Sequence, residues 1–256
     1  MFQEHYPTLV VAYLVGLGGW LVAHRLAPRV WPREPVEGLA RPWKEFWIAL
    51  VGATGVLAMG QLWMRGIRLP EQGAFGPVLG AINQALIFAP ILLVLVLRRQ
   101  SLATAWLPRG RIATRLLVGF VLASVTVTAY SLLREGADPP WVLLGRIWRY
   151  EHFDKMVQVL LEDLAIAMLF VRLAGAIDRS WATVIVACLF AAGHIPVMVS
   201  QGTTWFELGG LLRDAALGVA VILVLQRSRD VVWFWCIHFC LDMTQFAKVS
   251  GVGSSG

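Results

Sequence analysis

Five ionisable side chains stand inside apolar runs of this chain, and their spacing points to chemistry. Glu162 and Asp163 are adjacent in VQVLLEDLAIAMLF, His194 follows Phe190 by four residues in LFAAGHIPVM, and His238 precedes Asp242 by four in WFWCIHFCLDMTQF. An ionisable group at mid-bilayer costs several kcal/mol, which marks each one as a functional candidate. Two neighbouring carboxylates at that depth cannot both ionise easily, and a proton shared in this way suits a general base. The plainer reading is a hydrogen bond between helices, but that role in membranes usually falls to Ser, Thr, Asn or Gln. His194 alone reads as a structural side chain. Pro196 changes its setting, because a proline cannot donate to the carbonyl of Ala192 and so opens the helix beside the histidine. His238 and Asp242, at i and i+4, stack on one helix face. There the carboxylate can fix the imidazole tautomer, or the pair can share a proton or a metal ion. Cys188, Cys236 and Cys240 are odd in number, lack CxxC spacing and lie in apolar runs, which argues against a disulfide framework or a zinc ribbon, and Cys236 and Cys240 read as packing residues. Asn83 and Gln84 are expected to hydrogen-bond between helices.

The order of these motifs on three separate apolar runs resembles the CPBP family of intramembrane proteases, which comprises CAAX proteases and bacteriocin-processing enzymes related to the Rce-type CAAX prenyl endopeptidases. The family pattern is EExxxR, FxxxH and HxxxN or HxxxD. The resemblance covers residues 160–246 and departs at two places: Asp163 replaces the second glutamate, and Ala167 stands where the arginine would be. It implies an intramembrane endopeptidase in which Glu162, paired with Asp163, activates water. His194 would help to bind that water, and His238 with Asp242 would stabilise the oxyanion. The implied substrate is a membrane-anchored protein or peptide, and the implied mechanism needs no cofactor. A zinc ion held by Glu162, His194, His238 and Asp242 stays open as an alternative. So do a proton-coupled transporter and a catalytically inactive membrane scaffold. Arg213, in ELGGLLRDAALG, either snorkels outward or pairs with a nearby carboxylate, or turns inward to replace the missing cation beside Asp163.

The elements that must position these residues follow from composition. Of 256 residues 58% are hydrophobic and only 15% charged, against roughly 25% in ordinary soluble domains. Mean hydropathy is +0.67. These values exclude a soluble globular enzyme and a disordered chain. The expected fold is all-α, a polytopic transmembrane bundle of about eight spans, near 9–23, 46–64, 75–97, 112–133, 153–173, 181–200, 208–225 and 231–246. Residues 1–256 form one membrane domain: N-terminal spans over 1–150 without the motifs, a motif-bearing core over 153–246, and a flexible tail over 251–256. From its span start His238 lies only about 10 Å along the helix, and Glu162 about 14 Å, so the last span would have to begin within the bilayer or tilt. Residues 141–150, WVLLGRIWRY, read as an interfacial helix.

The net charge of +6 does not mark a nucleic-acid partner, because the basic residues cluster between apolar runs, where they orient spans against the lipid bilayer. Connections after the odd-numbered spans hold thirteen basic residues, Arg33, Arg41, Lys44, Arg98, Arg99 and Arg172 among them; the opposite side holds six, including Arg65, Arg68 and Lys248. Arg115, Lys155 and Arg213 fall inside spans. The count places both termini outside the cytoplasm, and the expected location is a bacterial inner membrane. Met1 to Tyr6 carries Glu4 and His5 but no Lys or Arg, so the first run is read as a retained span rather than a cleaved signal.

Overall fold

The computed structural model describes residues 6–31, 38–200, 202–204 and 208–246. Glu4, His5, Arg33, Lys248 and the expected tail 251–256 lie outside the described residues. The chain is all-α, with no strand among the described residues. Its helices are α1 (Tyr6–Leu26), α2 (Pro42–Met64), α3 (Gly76–Leu97), α4 (Ile112–Leu133), the short α5 (Pro140–Ile147), α6 (Phe153–Leu173), α7 (Arg179–Gly193), α8 (Ile195–Ser200), α9 (Leu211–Ser228) and α10 (Val232–Phe246). Local signals set several ends. Proline occupies the first turn of α2, α3 and α5, where its missing N–H has no intrahelical partner to lose. Asp178 caps α7 by accepting from the Ser180 amide at 2.8 Å, and these backbone bonds hold its carboxyl below the ordinary range.

Five stretches are long and apolar enough to cross a membrane: α1, α2, α3, α4 and the run from Arg179 to Ser200. The other three expected spans are α6, α9 and α10. Helix α6 carries Asp154, Lys155, Glu162, Asp163 and Arg172, and α9 carries Arg213, Asp214 and Arg227. Helix α10 has 15 residues, about 22 Å of helix against a hydrocarbon core of roughly 30 Å. It packs against α1, α4, α5 and α6, and Trp233, Cys236, Ile237, Phe239, Cys240 and Leu241 along it have no exposed surface. Protein rather than lipid covers this helix, so bilayer thickness does not set its length.

Close backbone approach seats α10 on α4. A Cβ added at Gly119 would meet the Trp233 carbonyl oxygen and Cys236 Sγ, each at 2.8 Å. The start of α10 is fixed by a buried ion pair: Arg115 Nη1 lies 2.8 Å from Asp230 Oδ2, which also accepts from Trp31 Nε1 at 3.1 Å, while Asp230 Oδ1 accepts from the Val232 amide. At its other flank Trp235 Nε1 donates to the Met156 carbonyl at 2.8 Å, tying α10 to the first turn of α6.

The connections after α1, α3, α6 and α9 meet at one end of the bundle. Arg111 donates to the Arg29 carbonyl, the Val231 amide to Trp106 O at 3.1 Å, and the fully buried Arg172 to Gln100 Oε1 and to Thr104 O. Most of the basic connections therefore share one end. At the opposite end Asn83 differs from its expected interhelical role: it exchanges hydrogen bonds with the Leu69 backbone at 2.9 and 3.0 Å and donates to Glu71, closing the turn before α3. Helix α5 buries Leu143 and Ile147 and exposes Trp141, the one-sided character expected of residues 141–150.

Candidate active site

Helix α6 presents Glu162 and Asp163 about 100° apart around its axis, so one carboxylate can enter the core while its neighbour stays at the edge. Asp163 is the inner one, 1% exposed, and Glu162 is half-buried. Opposite them α10 brings His238, buried, and Asp242, half-buried. His238 Nδ1 lies 2.8 Å from Asp163 Oδ1, whereas its Nε2 is 3.7 Å from Asp242 Oδ2, beyond hydrogen-bond range. The carboxylate that fixes the imidazole is thus Asp163 on another helix, not the i+4 partner on its own. One ligand atom each from Glu162, His238 and Asp242 lie within 4.8 Å of one another. The cluster is layered: Asp163 behind, His238 in the middle, and Glu162 with Asp242 in front.

A second row supports Glu162 along α6. Gln158 Nε2 donates to Glu162 Oε1 at 2.9 Å, and Lys155 Nζ donates to Gln158 Oε1 at 3.0 Å. These residues sit at i, i+3 and i+7, one helix face. The cation linked to the carboxylates is therefore Lys155, approaching from the N-terminal side. Ala167 is fully buried. Arg213 turns elsewhere, its guanidinium 4.7 Å over the Tyr6 ring. Among the described residues Asp163 Oδ2 is buried without a hydrogen-bond partner, so none of the described arginines sits on it. Sequence reasoning placed Lys155 inside a span without a role, although KMVQVLLE already shows its register with Gln158 and Glu162. Tyr13, buried on α1 with its ring 6.3 Å from the His238 ring, was also missed; no motif on α1 announces it.

His194 stands apart from this cluster. It occupies the turn between α7 and α8, exposed, where the missing donor of Pro196 interrupts the helix. Its ring packs edge-on against Phe190 at 5.0 Å, and its Nδ1 is 3.1 Å from the Phe190 carbonyl. The FxxxH spacing thus reads locally as a ring contact plus a tautomer-setting bond that leaves Nε2 as the acceptor. The structure brings Glu162, Asp163, His238 and Asp242 together and leaves His194 at the margin. Two hollows, of about 370 and 200 Å³, open at the basic end of the bundle, and neither is lined by any of these five residues.

The arrangement offers a half-exposed carboxylate, a histidine with one nitrogen occupied and one free, and a second carboxylate facing the same point. With protons on both ring nitrogens His238 can donate from Nε2 to an oxyanion; with a proton on Nδ1 alone, Nε2 offers a lone pair to a cation. No protein-family model matches the chain, and no curated protein or solved structure matches it.

Proposed function

We propose that this membrane protein is an intramembrane endopeptidase of the CPBP type, hydrolysing a peptide bond in a membrane-anchored protein or peptide. The observation that carries the reading is the placement of half-buried Glu162 within 4.8 Å of a histidine whose far nitrogen is held by a buried aspartate. Glu162 takes a proton from water, the oxygen attacks the carbonyl carbon, and His238 donates from Nε2 to the developing oxyanion. The proton on Glu162 then passes to the leaving nitrogen as the C–N bond breaks. Asp163 keeps the imidazole in place, and His194 guides water or substrate at the exposed edge of the α7–α8 break. The proposed setting is a bacterial inner membrane with both termini outside the cytoplasm, on the strength of the basic connections.

One observation favours a second reading, a divalent cation on Glu162, His238 and Asp242: three ligand atoms face one point, and the carboxylate behind the histidine is the usual support of a metal-bound imidazole. Comparing membrane-protein lengths in cells carrying the wild type or Glu162→Gln tests the protease reading. Uncleaved precursors should accumulate in the variant; identical length profiles contradict it. Exhaustive chelation of the purified protein separates the two readings, since cleavage persists without a metal and stops if the cation is required.

A further inference from the structure

A second polar site lies at the basic end of the bundle, far from the carboxylates. The hollow of about 370 Å³ opens between the start of α2 and the turn after α3, and Arg41, Lys44, Arg98 and Arg99 line it against one acid, Glu45. That acid is already committed: buried Glu45 accepts from Arg98 Nε at 3.2 Å and Gln100 Nε2 at 2.8 Å. Gln100 in turn is held by the buried Arg172. Glu45 offsets Arg98, while Arg41, Lys44 and Arg99 stay exposed and, among the described residues, without a hydrogen bond or ion pair from their side chains. Helix α2 also begins here with no side-chain cap, leaving first-turn N–H groups that favour an anion. Among the described residues, three cations without an ion pair and a helix N-terminus surround one hollow, a setting that favours negative charge.

The surroundings say where that charge comes from. Helices α2 and α3 are both apolar and long enough to cross a membrane, and the hollow sits at their shared end. Trp43 and Trp47 are exposed beside it, the ring type that settles at headgroup level. Val51 on α2 and Leu93, Val96 and Leu97 on α3 extend exposed apolar surface from there, a wall for acyl chains that a free ion has no use for. We propose that this hollow binds the phosphate of an anionic lipid headgroup, with the acyl chains lying along α2 and α3.

Native mass spectrometry of the full chain in detergent tests this with dioleoyl phosphatidylglycerol, dioleoyl phosphatidylcholine and inorganic phosphate as probes. Phosphatidylglycerol should be retained about 100-fold more tightly than phosphatidylcholine, and Arg41→Gln with Lys44→Gln and Arg99→Gln should erase that preference, at roughly five-fold per cation. Arg65→Gln with Arg68→Gln, at the opposite end of α2 and about 34 Å away, should leave it intact. Inorganic phosphate at millimolar concentration should not displace the lipid. Displacement by phosphate that the wild type retains and the triple variant does not would overturn the lipid assignment in favour of a free anion. An unchanged preference in the triple variant, or none in the wild type, would overturn the site. If the triple variant loses its thermal transition, exposed Lys44→Gln alone decides, through a five-fold loss or none.

Discussion

Glu162 and Asp163 differ by one position and by almost everything in their surroundings. The half-buried Glu162 lies with His238 and Asp242, one ligand atom of each within 4.8 Å of the others, while Asp163 is buried and holds His238 Nδ1. Glu162→Gln should therefore lower cleavage by at least about 100-fold while the protein still folds, because it deletes a base and preserves shape. Asp163→Asn keeps an acceptor for Nδ1 but loses the charge, and should cost about ten-fold. Turnover of one membrane substrate in proteoliposomes, with thermal melting as the folding control, checks both. Lys155 and Arg213 form the sharper contrast. Lys155→Met removes the cation that reaches Glu162 through Gln158 and should lower turnover about ten-fold, with Lys155→Arg restoring most of it. Arg213→Leu should leave turnover near wild type, since Arg213 lies over Tyr6. Equal losses in both would mean that the cation acts through general electrostatics rather than through this row. The candidate residues were legible because a charge in an apolar run stands out from its background; the pairing of His238 with Asp163, 75 positions apart, was not, because only the packing of α6 on α10 creates it.

Helix α10 carries two of the four clustered groups, so the accuracy of the site rests on how that helix is seated. Gly119→Val should separate α4 from α10, since even a single added Cβ would lie 2.8 Å from the Trp233 carbonyl. Overpacking of this kind costs about 1–3 kcal/mol, and a lowered Tm together with lost turnover is the expected result. Gly60→Ala, inside α2 where a Cβ would meet nothing within 4 Å, is the control: turnover should stay at wild type and Tm should not fall. Hydropathy located these elements well: the expected bounds 112–133 and 153–173 recur unchanged, because long apolar runs admit few alternatives. Pro196 likewise announced the interruption at His194. The Arg115–Asp230 pair was hidden, since its partners are 115 residues apart and each looks like a stray charge until α10 is in place.

On the scale of the whole molecule, most of the basic connections share one end, and the proposed topology puts that end in the cytoplasm. In a cysteine-free background carrying Cys188→Ala, Cys236→Ala and Cys240→Ala, which removes one exposed and two buried thiols, a membrane-impermeant maleimide on intact cells should label Arg65→Cys and spare Arg109→Cys. The reverse pattern would invert the topology and move the anionic site to the outer face. All-α membrane architecture was readable from composition alone, because 58% hydrophobic residues leave no soluble alternative. Which helices meet lipid was not, because α10 is as apolar as its neighbours yet enclosed by them. The central claim is that this bundle adds water across a peptide bond, with Glu162 as the base. Its most direct measurement is the incubation of membranes carrying the chain in H2(18)O, followed by intact-mass analysis of newly formed C-termini. One 18O atom per new C-terminus in the wild type and none formed in Glu162→Gln is the predicted result; new 18O-bearing C-termini at the wild-type rate in the variant would contradict it.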